Sequence, residues 1–175
     1  MKICLCAGHG PEIDRGAENR DGTTELDWNR DLVNRILFYL KDKLDVVVIH
    51  RVKERLSPVP EINASLADIA IEFHCNCSDG SASGTEMIYI SKRGRVLAEL
   101  LQKAAVDCLR LPDRGVKLPF AGRGNYFLAH TNMPAVIAES FFIDHDQDLE
   151  VANSRKEELA MAYARAVLDY EQSFS

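Results

Sequence analysis

Ile3-Cys4-Leu5-Cys6-Ala7-Gly8-His9-Gly10 opens the chain with five apolar residues that run into a Gly-His-Gly turn. A short apolar run closed by glycine suits a buried strand feeding a loop. Gly, Asp, Arg and Asn then dominate as far as Thr24, after which Leu32, Val33, Ile36, Leu37, Leu40 and Leu44 mark one face of a helix over residues 27–43. Thr23 or Thr24 suits its cap, with Glu25 in the first turn. Residues 46–50 read as a second strand and 69–73, ending at His74, as a third, while 86–90 alternate like a half-buried fourth. Between the second and third, Pro58 and Pro60 predict an irregular stretch over 56–66 closing in a short helical turn.

Val96, Leu97, Leu100, Leu101, Ala104, Ala105 and Cys108 predict a second amphipathic helix. Residues 126–129 and 135–138 read as strands, and 154–170 as a last helix with Leu159, Tyr163, Val167 and Tyr170 inward. Strands alternate with helices without a Gly/Ser linker or an internal repeat, so a single α/β domain over 1–175, its sheet between helix layers, is the economical reading. At 175 residues such a domain hides roughly 70% of its extended surface.

A net charge of -6 argues against nucleic acid as the main partner, since phosphate binding calls for a basic face. No stretch approaches the length of a membrane span, and no export signal precedes Gly8, so the expectation is synthesis in the cytoplasm. Cys4, Cys6, Cys75, Cys77 and Cys108 include two C-x-C pairs that suit neither a zinc knuckle nor a redox CxxC; they read as reduced, buried small residues.

His9, Glu25, His74 and Glu139 each stand at the edge of a predicted element, where α/β proteins assemble chemistry from distant pieces. Two imidazoles, one carboxylate and an open position make a ligand set for hydrolytic Zn²⁺. Residue type alone leaves two readings open for the first three: a metal site, or hydrogen-bonded histidines and a first-turn glutamate that meets the helix dipole. Glu139, directly after Pro134-Ala135-Val136-Ile137-Ala138, lies at the edge of a core strand, where a bare carboxylate is costly and needs a partner. His50, His130 and His145 are not expected to act directly, with His130 the best placed of them to line a cleft. Asp144, Asp146 and Asp148 alternate like a calcium loop, but Leu149 and Arg155 stand where that loop needs glycine and glutamate, so a solvated turn is expected. Gly80-Ser81-Ala82-Ser83-Gly84 has no central nucleophile.

Ala7-Gly8-His9-Gly10, Gly16-Ala17 and Glu25-Leu26-Asp27-Trp28-Asn29 resemble the opening of the zinc-dependent N-acetylmuramoyl-L-alanine amidases of the type-3 family. Ile71-Glu72-Phe73-His74-Cys75-Asn76 resembles that family's second histidine motif and Gly84-Thr85-Glu86 its next strand, while Arg114-Gly115-Val116-Lys117 and the run from Asn132 to Ile143 resemble its catalytic-glutamate region. The resemblance implies a phosphorylase/hydrolase-like α/β domain with a mixed sheet of about six strands. It implies one catalytic Zn²⁺ on His9, Glu25 and His74, Glu139 as acid/base, and hydrolysis of the amide between the lactyl group of N-acetylmuramic acid and L-alanine. Asn76, Glu86 and His130 are the expected substrate contacts, peptidoglycan the partner, and a monomer the favoured state. Ser57-Pro58-Val59-Pro60-Glu61-Ile62-Asn63-Ala64-Ser65 lacks the arginine that relatives often carry there, and no insertion between His74 and Glu139 leaves room for a plug helix. An endolysin-like enzyme, made in the cytoplasm and reaching the wall after release, is the expected role. A zinc peptidase acting on wall peptides and a non-catalytic wall-binding module are the alternatives.

Overall fold

Six strands form one mixed sheet in the computed structural model, which describes residues 1–11, 14–51, 57–120 and 125–174. Strand β1 (Lys2–Ala7) pairs in parallel with β2 (Asp45–Val48) on one side and with β3 (Ile69–Asn76) on the other. Parallel to β3 lies β6 (Ala135–Phe142), followed by antiparallel β4 (Thr85–Tyr89) and the edge strand β5 (Asp113–Lys117).

Alternation along each strand divides the molecule into two cores. Ile3, Leu5 and Ala7, with Ile69, Ile71 and Phe73, face the larger one, built by α1 (Glu25–Leu40), α3 (Lys92–Leu109), α5 (Asp146–Ser154) and α6 (Lys156–Gln172). Its centre holds Trp28 edge-on to Phe141, ring centroids 4.6 Å apart, and a fully buried Tyr163 whose hydroxyl pairs with Ser140 Oγ at 2.9 Å. Cys4, Cys6 and Ala70, with Ala135 and Ile137, face the smaller core. Among the described residues two short helices cover that side, α2 (Val59–Ala64) and α4 (Asn125–His130). Six residues of helix span about 9 Å, too little to roof an eight-residue strand of about 26 Å, so the helices alone do not account for the burial of this face.

Several elements differ from the sequence reading. Residues 126–129 are helical, with Phe127 and Leu128 buried side by side in the smaller core, a pattern that a two-residue repeat forbids. Residues 113–117 form a strand that the polar sequence Asp113-Arg114-Gly115-Val116-Lys117 hides, because an edge strand borrows pairing from one neighbour and stays partly wet. The acidic segment expected as a solvated turn is helix α5, with His145 as its cap. Its Asp148 is fully buried, accepting hydrogen bonds from Gly84 N at 3.0 Å, Phe142 N at 3.2 Å and Ser83 Oγ at 2.6 Å. Cys77 is exposed and Cys108 half-buried, against expectation, whereas Cys4, Cys6 and Cys75 are buried as expected. The expected start of the proline-containing stretch, Leu56, lies outside the described residues. Among the described residues no helix is long and apolar enough to cross a membrane.

Candidate metal centre and catalytic carboxylate

Thr24 caps α1 by accepting from Asp27 N, which sets Glu25 as the first helical residue. Glu25 is 3% exposed and its carboxylate is held at both oxygens: Cys75 N donates to Oε1 at 2.9 Å and Ala17 N to Oε2 at 3.1 Å. Each oxygen also meets one imidazole, Oε1 with His74 Nδ1 at 2.8 Å and Oε2 with His9 Nε2 at 3.1 Å. The three side chains each present one donor atom, all within 4.8 Å of one another. His9, Glu25 and His74, the last two of which lie 49 positions apart in the chain, are therefore brought together as the sequence anticipates.

The glycines act differently from expectation. The sharp turn after β1 falls on His9 itself, whose φ is 66°. A non-glycine residue in that region is strained, and such strain collects where side-chain placement matters. Gly8 instead makes room: a Cβ there would sit 2.1 Å from His74 Cε1. Gly16, with φ of 75°, does the same for Glu25, since its Cβ would meet Oε2 at 2.5 Å.

Register places the rest. His74 on β3 pairs with Glu139 on β6, and Glu139 with Glu86 on β4, so one row of ionisable groups crosses three strands about 4.8 Å apart. β6 runs on to Phe142, which puts Glu139 inside the strand instead of just beyond its end. Burial pushes the Glu139 carboxyl up to about 7; the His74 charge opposes this, and the carboxylates of Glu25 and Glu86 add to it. Its Oε2 is buried with no hydrogen-bond partner among the described residues. Burial alone would also raise Glu25, but the hydrogen bonds from His74 and His9 outweigh it and hold that carboxyl well below the usual range. Desolvation would lower the His74 ring, yet Glu25 and Glu72 raise it well above an ordinary histidine. A carboxylate kept ionised beside one kept near neutrality is the separation that acid/base chemistry uses.

The other expected contacts differ from one another. Glu86 is buried and bound at Oε2 by Arg114 Nε and Lys117 Nζ, both at 2.7 Å. Asn76 is buried, and its Nδ2 has no partner among the described residues. His130 is exposed, stacked on Tyr126 at 4.2 Å, and its carbonyl accepts from Asn63 Nδ2. That bond ties it to segments leading into the beginnings of β3 and β6, so the structure does not bring His130 to the other residues. Sequence reading passed over Glu72, an acidic residue within an apolar strand, and Asp14, whose Oδ2 lies 2.8 Å from His9 Nδ1.

The sequence profile of the N-acetylmuramoyl-L-alanine amidases (Amidase_3) matches residues 3–169. The chain belongs to the N-acetylmuramoyl-L-alanine amidase family. Its similar relatives include protein YqiI of Bacillus subtilis (strain 168), 31% identical over 98% of this chain and 84% of that protein. N-acetylmuramoyl-L-alanine amidase LytC of the same organism is 29% identical over 83% of this chain, which spans only 30% of LytC. Among solved structures, the catalytic domain of the CD27L endolysin targeting Clostridia Difficile superimposes with a TM-score of 0.84 at 27% identity, covering 97% of each chain. The six-stranded α/β domain expected from the sequence is thus the fold of this family.

Proposed function

We propose that this protein is a zinc-dependent N-acetylmuramoyl-L-alanine amidase that cleaves the amide between the lactyl group of N-acetylmuramic acid and the L-alanine of the stem peptide. The observation that carries the reading is the His9–Glu25–His74 cluster with the buried, unpartnered Glu139 oxygen in the adjoining register position. The donor set fits a catalytic zinc, which takes three protein ligands of these types and keeps a fourth position open. The fit extends to the backbone, since Gly8 and Gly16 lack the Cβ atoms that would displace His74 and Glu25. A zinc bound there supplies Lewis acidity for the lactyl carbonyl and lowers the pKa of water to about 7.

The chain's own groups do the rest. Glu25, anchored by two backbone amides, holds its carboxylate toward both rings without needing to reorganise. Glu139, poised at about 7, takes the proton of the attacking water as its oxygen bonds to the carbonyl carbon. When the C–N bond breaks, the same carboxyl returns that proton to the departing alanine nitrogen. The Glu86–Arg114–Lys117 cluster keeps a second carboxylate next to Glu139, and Asn76 offers an unpaired amide donor to substrate. Synthesis in the cytoplasm with action on the wall after release, as for an endolysin, belongs to this proposal; the likeness to the CD27L endolysin catalytic domain supports it.

Digestion of purified peptidoglycan tests the reading. New L-alanine amino termini with intact glycan are expected, lost on chelation and restored by Zn²⁺. Cleavage between amino acids of the stem would establish a zinc peptidase instead. Undiminished lysis after thorough chelation would refute the metal, and zinc uptake without cleavage would leave a wall-binding module.

A further inference from the structure

Glu72 stands on β3 two residues before His74, on the same side of the strand, and is 6% exposed. Its register neighbours are Cys6 on β1 and Ile137 on β6, both buried in the smaller core. A carboxylate placed between a thiol and an aliphatic side chain loses most of its hydration and has to be paired. Among the described residues the polar group that meets it is the His74 ring, with Nε2 3.3 Å from Glu72 Oε2. The opposite ring nitrogen, Nδ1, faces Glu25.

We propose that Glu72 is a positioning residue, which locks the His74 imidazole with its proton on Nε2 and its lone pair on Nδ1, directed at the metal position. This rests on the metal reading above. A neutral imidazole carries one N–H and one lone pair, and the hydrogen bond at one nitrogen decides which end is free to ligate. A carboxylate behind a ligating histidine fixes the ring and strengthens it as a donor. His9 has the same arrangement in reverse, with Nε2 toward Glu25 and Nδ1 toward Asp14. Asp14 is half exposed and also approached by Arg51 at 3.8 Å, so water can take its place. Glu72 is buried, so water has far less access to its place. The space left by the absent Gly8 side chain is filled by this same ring, which leaves His74 little freedom to choose another orientation.

The test compares zinc affinity of the wild-type protein and Glu72→Gln by competition with a chromophoric chelator. Glu72→Gln keeps the shape and loses the charge, so weakening of about 10- to 100-fold is expected. Long-range ¹H–¹⁵N spectra of the zinc-loaded wild-type protein supply a readout that needs no variant: His74 should show a protonated Nε2. Zinc binding by the wild type with a variant affinity within twofold overturns the role of Glu72 alone. So does a His74 ring protonated at Nδ1. Wild-type protein that takes up no zinc overturns the metal reading, and this inference falls with it.

Discussion

Glu139 should be a liability to the fold in the absence of metal, and the size of that liability follows from its surroundings. Its carboxyl has a pKa of about 7 in the folded chain against an ordinary value of 4.5. Below pH 4.5 both folded and unfolded states keep the proton and the group costs nothing. Between 4.5 and 7 the unfolded chain ionises while the folded one does not, so the folded state binds more protons and stability falls as pH rises. Above 7 the loss is complete at about 3 kcal/mol. Glu139→Gln is neutral at every pH and escapes it. Thermal unfolding of metal-free protein at pH 8 should therefore show the variant melting about 6 to 12 °C above wild type, and the two together at pH 4. Wall-lytic activity of the same variant should drop about 10²- to 10⁴-fold, the usual worth of a positioned acid/base. Gain of stability with loss of activity marks a group kept for chemistry. A variant no more stable than wild type at pH 8, or a gain equal at both pH values, would refute the account of Glu139 as a buried carboxyl near neutrality.

Two further substitutions test how the site is held. Gly8→Ala should push the His74 ring from its place, because the new Cβ would lie 2.1 Å from Cε1; about tenfold or greater weakening of zinc binding is expected with secondary structure intact, and full metal content in the purified variant would contradict it. Asp148→Ala should strip the buried amides of Gly84 and Phe142 of their acceptor, costing about 2 to 5 kcal/mol in urea unfolding, and a loss below about 1 kcal/mol would show that the two segments find other partners.

What sequence alone determined is the set of elements whose pattern is local and the side chains that carry chemistry. Leu32, Val33, Ile36 and Leu40 form one helical face in any context, and each is fully buried as that periodicity requires. His9, Glu25, His74 and Glu139 were identifiable because their residue types are rare at the edges of apolar runs and because the motifs around them resemble one family. Tertiary structure decided what depends on neighbours. Tyr126-Phe127-Leu128-Ala129 is too short for periodicity to separate strand from helix, and packing of Phe127 and Leu128 beneath β6 made it helical. Residues 113–117 became a strand because β4 offered them an edge, and Asp148 became buried because the segment before β4 and the end of β6 needed one acceptor. The partnership of Glu72 with His74 was invisible for the same reason. Two positions on one strand share a face by alternation, but only folding shows that the register neighbours of Glu72 are apolar, which leaves the His74 ring as the polar group that meets it among the described residues.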